Sequence, residues 1–78
     1  MKAKADIEIG FRMANECIRL FGSPSAAGRA MRCDRKNIHA WRNGYTPSVL
    51  FLARLQFLGG DALYVMTGKR AGERRSDA

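Results

Sequence analysis

Signals that start and end α-helices recur along this chain at short intervals, and they leave room only for short helices. Ser23-Pro24 and Thr46-Pro47 each place a hydroxyl side chain before a proline, the arrangement favoured at a helix N-terminus. Glycines that can end a helix follow at positions 22, 44, 59, 60 and 68. No stretch alternates apolar and polar residues as a β-strand does. The predicted fold class is therefore all-α, with about five helices.

The predicted helices run over residues 7–21, 24–31, 34–43, 47–58 and 61–67. Apolar residues recur at steps of four and three in the first helix, which indicates one buried face. Asp34 and Asp61 are expected to cap the third and fifth helices. Residues 1–6 are predicted to be a flexible N-terminus. Residues 69–78 are predicted to be a disordered basic tail, because they are too polar to pack.

A chain of 78 residues makes one small domain, and its 46% hydrophobic residues are enough for a packed core. A domain of this size buries only about 60% of its unfolded surface, so its stability margin is thin. Cys17, Cys33 and His39 show no metal-ligand spacing, so we expect neither a metal nor another cofactor. No secretory signal favours a Cys17–Cys33 disulfide, and both thiols are expected to be small buried apolar groups. Oligomerisation remains as a source of further stability.

No segment of the sequence is typical of a membrane protein or a secreted one. The longest apolar run, residues 49–53, is far shorter than the ~20 residues that span a bilayer. Residues 1–6 are not followed by the apolar segment of a signal peptide. We therefore expect a cytoplasmic protein with no membrane partner.

The net charge of +7 is concentrated in the middle of the chain. Residues 22–44 contain five basic residues and one acidic residue, whereas residues 45–67 contain one of each. The segment 68–78 adds four basic and two acidic residues. Such clustering favours a polyanionic partner, although a solvated basic surface is the alternative that charge alone leaves open.

Two short helices joined by a turn at residues 32–34 have the spacing of a helix-turn-helix. Apolar residues fall where the two helices must contact each other and the core, namely Ala27, Met31, Cys33, Ile38 and Trp41. Gly28 falls where the helices approach closely. The opposite face of the third helix carries groups able to read base edges in a DNA major groove, namely Arg35, Lys36, His39, Ala40 and Asn43.

Three stretches of the chain together resemble the phage Cro/repressor (Xre-like) helix-turn-helix family. They are residues 22–31 (GSPSAAGRAM), 38–44 (IHAWRNG) followed by Pro47, and 60–70 (GDALYVMTGKR). Short temperate or filamentous prophage repressors are the most similar members. The resemblance implies a lambda-repressor-like five-helix domain over 7–68, with the helix-turn-helix at 24–43. Helices 47–67 are expected to mediate dimerisation. The family usually has glycine at the first turn position, where this chain has Arg32.

The resemblance also implies which residues contact DNA. The five residues named above on the third helix would face base pairs, and Ser23 and Ser25 would meet phosphate at the start of the second helix. Further phosphate contacts are expected from Arg29, Arg32, Asn37 and Arg42. For Arg29 and Arg32, plain solvation is an equally good interpretation.

The fourth predicted helix is apolar on nearly all sides, which a surface helix of a small domain should not be. Either the domain wraps the helix completely or another subunit covers it. A homodimer built on the fourth and fifth helices is the favoured interpretation. Its expected interface residues are Leu50, Phe51, Arg54, Phe57, Leu58 and Tyr64.

The predicted function is sequence-specific binding of a palindromic double-stranded DNA operator by a homodimeric transcriptional repressor. Such a protein would associate with the bacterial nucleoid and need no small-molecule ligand. We find no catalytic residues and do not expect an enzyme, because no nucleophile or carboxylate accompanies His39. An antitoxin-type autoregulator, another partner-binding helix-turn-helix protein and a non-specific nucleic-acid-binding protein are the alternatives.

Overall fold

In the computed structural model, residues 4–70 are described, and they form five α-helices with no β-strand. The helices are α1 (Lys4–Phe21), α2 (Pro24–Ala30), α3 (Arg35–Arg42), α4 (Val49–Phe57) and α5 (Ala62–Thr67). The all-α fold predicted from the sequence is confirmed. No helix within residues 4–70 combines the length and apolar character needed to cross a membrane.

Two predicted helix starts are wrong. Helix α1 begins at Lys4, inside the segment 1–6 expected to be flexible, and residues 1–3 lie outside the described residues. Helix α4 begins at Val49 instead of Pro47, with Ser48 at its N-cap. The hydroxyl of Thr46 donates to the Asp6 carbonyl at 3.5 Å and does not cap α4. The Thr46-Pro47 pair therefore belongs to the connection that crosses the start of α1.

Helix α1 lies at the centre of the fold and packs against α2, α3 and α5. The buried core takes residues from every helix: Met13, Ala14, Cys17, Ala27, Met31, Ile38, Trp41, Leu55 and Val65. Gly10 allows α1 to approach the end of α3, because a Cβ there would overlap the carbonyl oxygens of Trp41 and Tyr45. The glycine that weakens the helical pattern of α1 is thus a packing requirement.

Both cysteines are free thiols, but only one of them is fully buried as predicted. Cys17 is fully buried, and this burial raises its pKa to about 12. Cys33 is half-buried and packs against the core from the turn between α2 and α3. Each thiol therefore acts as a small packing group.

The carboxylate of Glu16 is fully buried and holds three parts of the chain together. It accepts hydrogen bonds from Arg19 Nε at 3.0 Å and Nη2 at 2.7 Å. The backbone amide of Asp61 donates to it at 2.8 Å, and Arg70 Nη1 lies 2.8 Å from its other oxygen. We call this arrangement the Glu16 clasp. It joins α1 to the start of α5 and to the segment that follows α5.

The clasp corrects part of the tail prediction. Arg70, which we placed in the disordered tail, pairs with Glu16 and lies 3.7 Å above the centre of the Tyr64 ring. A second link holds the end of α5, because Arg12 Nε donates to the Val65 carbonyl at 2.8 Å. The packed fold thus continues to residue 70, and residues 71–78 lie outside the described residues.

The Glu16 clasp should make stability depend on acid pH. Burial acts to raise the Glu16 pKa, but the hydrogen bonds from Arg19, the Asp61 amide and Arg70 outweigh it and lower the pKa from 4.5 to about 2. This contribution is present above pH 4.5 and is lost as pH falls towards 2, a change of about 3 kcal/mol. Chemical denaturation at a series of pH values measures it.

Two variants separate the clasp from general acid effects. Glu16→Gln should lower the free energy of unfolding near neutral pH and flatten its dependence below pH 4.5. Glu8→Gln is the control, since Glu8 is 46% exposed and its ion pair with Arg12, one turn further along α1, is 3.9 Å long. An acid dependence that survives in Glu16→Gln and disappears in Glu8→Gln would contradict this account.

Candidate nucleic-acid interface

Helices α2 and α3 are both capped by side chains at their N-termini. Ser23 Oγ accepts a hydrogen bond from the Ala26 amide at 3.1 Å, and Asp34 Oδ1 accepts one from the Lys36 amide at 3.1 Å. These bonds satisfy amides that a helix start otherwise leaves without a partner. Both caps predicted from the sequence are confirmed: Ser23 fixes the start of α2, and Asp34 fixes the start of α3 and so the end of the turn.

Gly28 lets the two helices approach as closely as a helix-turn-helix requires. A Cβ at this position would lie 2.9 Å from the Cys33 carbonyl oxygen and 3.1 Å from the Arg35 amide nitrogen. The Cys33 amide donates to the Gly28 carbonyl at 2.8 Å, which closes the turn against α2. The requirement for a small residue at Gly28 is confirmed.

The inner face of α3 is anchored in the core, so the outer face has a fixed direction. Ile38 is fully buried, and Trp41 is 4% exposed. The Trp41 ring meets the Phe51 ring of α4 edge-on, with centroids 5.4 Å apart and planes inclined at 65°. Trp41 is therefore a core residue, as expected, and its contact with Phe51 prevents α3 from rolling about its own axis.

The outer face of α3 gathers the side chains predicted to read bases. Arg35, Lys36, His39 and Asn43 are exposed, and Ala40 is half-buried between them. Asn43 is the C-cap of α3. Its backbone N–H donates to the carbonyls of His39 and Ala40, each at 3.0 Å. Guanidinium, ammonium and amide groups can pair with guanine and adenine, and the Ala40 methyl can contact thymine. Residues 35–43 contain no acidic residue that would repel phosphate.

The predicted phosphate contacts do not form one cluster. Ser25, Arg29 and Arg42 are exposed on α2 and α3, whereas the Ser23 hydroxyl is engaged as a cap. Asn37 of α3 is half-buried, so it is less open to a phosphate than Ser25, Arg29 and Arg42 are.

Arg42 contributes to a cleft that the sequence did not indicate. Together with Phe11 and Asn15 of α1, it lines a cleft of about 260 Å³ beside α3. Phe11 and Asn15 are both exposed. The first helix therefore borders the predicted interface with one aromatic and one amide side chain.

Arg32 occupies the first turn position with a positive φ of 55°, the left-handed conformation that favours glycine. It lines a groove with Ala30 of α2 and with three residues of α4, namely Arg54, Phe57 and Leu58. The turn at Arg32 thus has the backbone conformation that glycine adopts without strain, with an arginine in its place.

The residues predicted to form a dimer interface divide into two groups. Leu50, Phe57 and Leu58 are exposed on the surface of α4. The other three are engaged within the subunit: Phe51 packs on Trp41, Tyr64 lies under Arg70, and Arg54 Nη1 donates to the Met31 carbonyl at 2.6 Å. The exposed part of α4 is therefore narrower than its apolar sequence indicates.

Sequence reasoning missed the Glu16 clasp and the bond from Arg54 to Met31. A signal for the first was present, because Glu16 lies three residues after Met13 and four before Leu20, on an apolar face of α1. No comparable signal exists for Arg54, whose partner is a backbone carbonyl 23 residues earlier.

Comparison with known proteins adds no further information: no family model, no curated protein and no solved structure matches this chain. The resemblance to phage repressors therefore depends on the residues quoted above. Within residues 4–70, no three His, Cys, Asp or Glu side chains are grouped so that they could hold a metal ion.

Replacing Arg32 by glycine should stabilise the protein. An L-residue in the left-handed region is strained, so Arg32→Gly is expected to raise the free energy of unfolding by about 1 kcal/mol. Urea denaturation measures the change. Gly44→Ala is the opposite control, because Gly44 also has a positive φ, of 97°, and should lose stability. A less stable Arg32→Gly variant would contradict the turn geometry.

Proposed function

We propose that this protein is a sequence-specific DNA-binding transcriptional repressor of the phage type, which binds a palindromic operator as a homodimer. Helix α3 would lie in the major groove, and α2 would brace it against the backbone. The observation that carries the proposal is the outer face of α3. Arg35, Lys36, His39 and Asn43 are exposed there while Ile38 and Trp41 hold the helix from behind.

Repression follows from occupancy of the operator. A protein bound at a promoter blocks access of the polymerase. Such blocking requires tight binding at a defined position on the DNA, but it requires no chemical step. Exposed Arg29 and Arg42 would supply the sequence-independent attraction to phosphate. The amide and cationic groups of α3 would supply the discrimination between base pairs.

A second copy of the chain is proposed to cover the outward stripe of α4. The stripe consists of Val49, Leu50, Ala53 and Phe57, on the side of the helix opposite the buried Leu55. Val49 is 80%, Leu50 60% and Phe57 89% exposed. No charged residue interrupts the stripe, so an identical stripe from a two-fold-related copy would be a matched partner. Two copies would present their α3 helices to half-sites about 34 Å apart.

Selection of bound duplexes from a random pool, followed by gel-shift titration, tests the proposal. Lys36→Ala and Asn43→Ala should each reduce discrimination between selected and random duplexes about 5- to 150-fold, because each removes a base contact. Lys69→Ala is the control for loss of one positive charge, since Lys69 is exposed and follows α5. Equal affinity for selected and random duplexes would contradict sequence-specific binding.

The salt dependence of binding separates phosphate contacts from base contacts. Arg29→Ala should reduce the slope of log K against log salt by about 0.9, with discrimination unchanged, if Arg29 meets one phosphate. Asn43→Ala should leave the slope unchanged, because an amide releases no counterion. A wild-type slope near zero would count against the whole basic face.

The proposed dimer is tested by sedimentation equilibrium. Leu50→Ser removes apolar surface from the centre of the stripe, so the monomer fraction should rise while the helical circular dichroism stays unchanged. Phe11→Ser is the control, because Phe11 is 43% exposed on α1, away from α4. A wild-type protein that stays monomeric at the highest concentration measured would contradict the proposed dimer.

A further inference from the structure

A groove of about 320 Å³ lies between the helix-turn-helix turn and the end of α4. Its lining combines two guanidinium groups, from Arg32 and Arg54, with apolar surface from Ala30, Phe57 and Leu58. We call it the turn groove. Phe57 is 89% exposed, so the apolar part of the lining is open to solvent.

Both cations of the turn groove lack an acidic partner within the part of the chain that the structure describes. The ion pairs there join Arg12, Arg19 and Arg70 to Glu8, Glu16 and Asp61. Neither Arg32 nor Arg54 takes part in one. The groove therefore presents positive charge that only a group from outside these residues can neutralise.

Arg54 is already held in position to receive such a group. Its Nη1 donates to the Met31 carbonyl at 2.6 Å, and its guanidinium carbon lies 5.5 Å from the centre of the Phe51 ring. A guanidinium has five N–H donors, so one bond to a carbonyl leaves capacity for a carboxylate. Because the side chain is fixed beforehand, a ligand loses little conformational entropy in ordering it.

The turn position of Arg32 has a conformational cost that a glycine would not have. The backbone there is left-handed at φ 55°, and glycine would adopt this conformation without strain. Strained positions of this kind are concentrated where the side chain has a function. Arg32 lines the turn groove, which connects the strained position with the groove.

The lining chemistry distinguishes between candidate occupants. A DNA duplex would offer phosphates to Arg32 and Arg54 but nothing apolar to cover Phe57 and Leu58. A second copy placed symmetrically on the groove would bring the same two arginines against each other, which like charges disfavour. A protein segment with acidic and apolar side chains matches both parts of the lining, since carboxylates pair with guanidinium groups in a bidentate manner.

We propose that the turn groove is a docking site for an acidic, apolar segment of a partner protein. Carboxylates of the segment bond to Arg32 and Arg54, and an apolar side chain of the segment covers Phe57 and Leu58. The inference goes beyond the proposed function, because no residue of the groove belongs to α3, and its test and the DNA-contact tests therefore fail independently. Phe57 also lies in the α4 stripe proposed for the dimer, so the segment and a second copy would compete for this ring.

The test uses the full chain and a short fluorescein-labelled peptide in which Glu alternates with Leu and Phe. Two control peptides keep one property each: in one, Ser replaces the apolar residues, and in the other, Lys replaces Glu. Fluorescence anisotropy gives the affinities, and amide and guanidinium NMR shifts locate the peptide. The acidic apolar peptide should bind at least about 10-fold more tightly than either control and shift signals of Arg32, Arg54 and Phe57.

The decisive variant is Arg32→Gly, which removes one guanidinium and relieves the backbone strain at the same position. Affinity for the acidic apolar peptide should fall about 10-fold although the variant is no less stable than the wild type. Arg29→Ala is the matched control, since it removes one exposed positive charge from α2 outside the groove. It should leave peptide affinity within about 2-fold of the wild type.

Three outcomes would overturn the proposal. Equal loss of affinity in Arg32→Gly and Arg29→Ala would show attraction to net charge alone. A loss of duplex affinity in Arg32→Gly, with peptide affinity unchanged, would assign the arginine to DNA. A shift of the monomer–dimer equilibrium in Arg32→Gly, again with peptide affinity unchanged, would assign the groove to a second copy.

Discussion

The buried carboxylate of Glu16 is the interaction on which the rest of this small fold depends. A charge with no solvent contact is costly unless its oxygens are fully hydrogen-bonded, and here two arginines and one backbone amide supply the bonds. The donors come from α1, from the cap of α5 and from the segment after α5. The clasp therefore fixes the position of α5 against α1 by directional bonds, in a domain whose core alone is small.

With α5 held by the clasp, α1 can support the helix-turn-helix from its other sides. Gly10 brings α1 against the end of α3, and Gly28 brings α2 against the turn. Trp41 and Phe51 then connect α3 to α4 through an edge-on ring contact. The direction in which α3 presents its outer face is thus set by contacts on the opposite side of the same helix. The cations of that face can be exposed because the packing does not need them.

The sequence predicted the parts of the structure that local rules determine. Helix periodicity, the caps at Ser23, Asp34 and Asp61, and the close approach at Gly28 each involve residues a few positions apart. It failed where a partner lies far along the chain. Composition alone made Arg70 part of a polar tail, whereas Glu16, 54 residues earlier, binds it. Thr46-Pro47 has the pattern of a helix start, but the Thr46 hydroxyl bonds to Asp6 instead. For Arg54, only the folded arrangement reveals a backbone carbonyl within reach.

The long sequence separation within the Glu16 clasp has a consequence for how the chain acquires its shape during synthesis. The helix-turn-helix is complete at Arg42. The Asp61 amide lies 45 residues after its partner Glu16, and Arg70 follows later still. On the ribosome, α1, α2 and α3 emerge while the Glu16 carboxylate still lacks these two donors. The Glu16 clasp can therefore be completed only after residue 70 has left the exit tunnel, so α1 and α5 are joined late in synthesis.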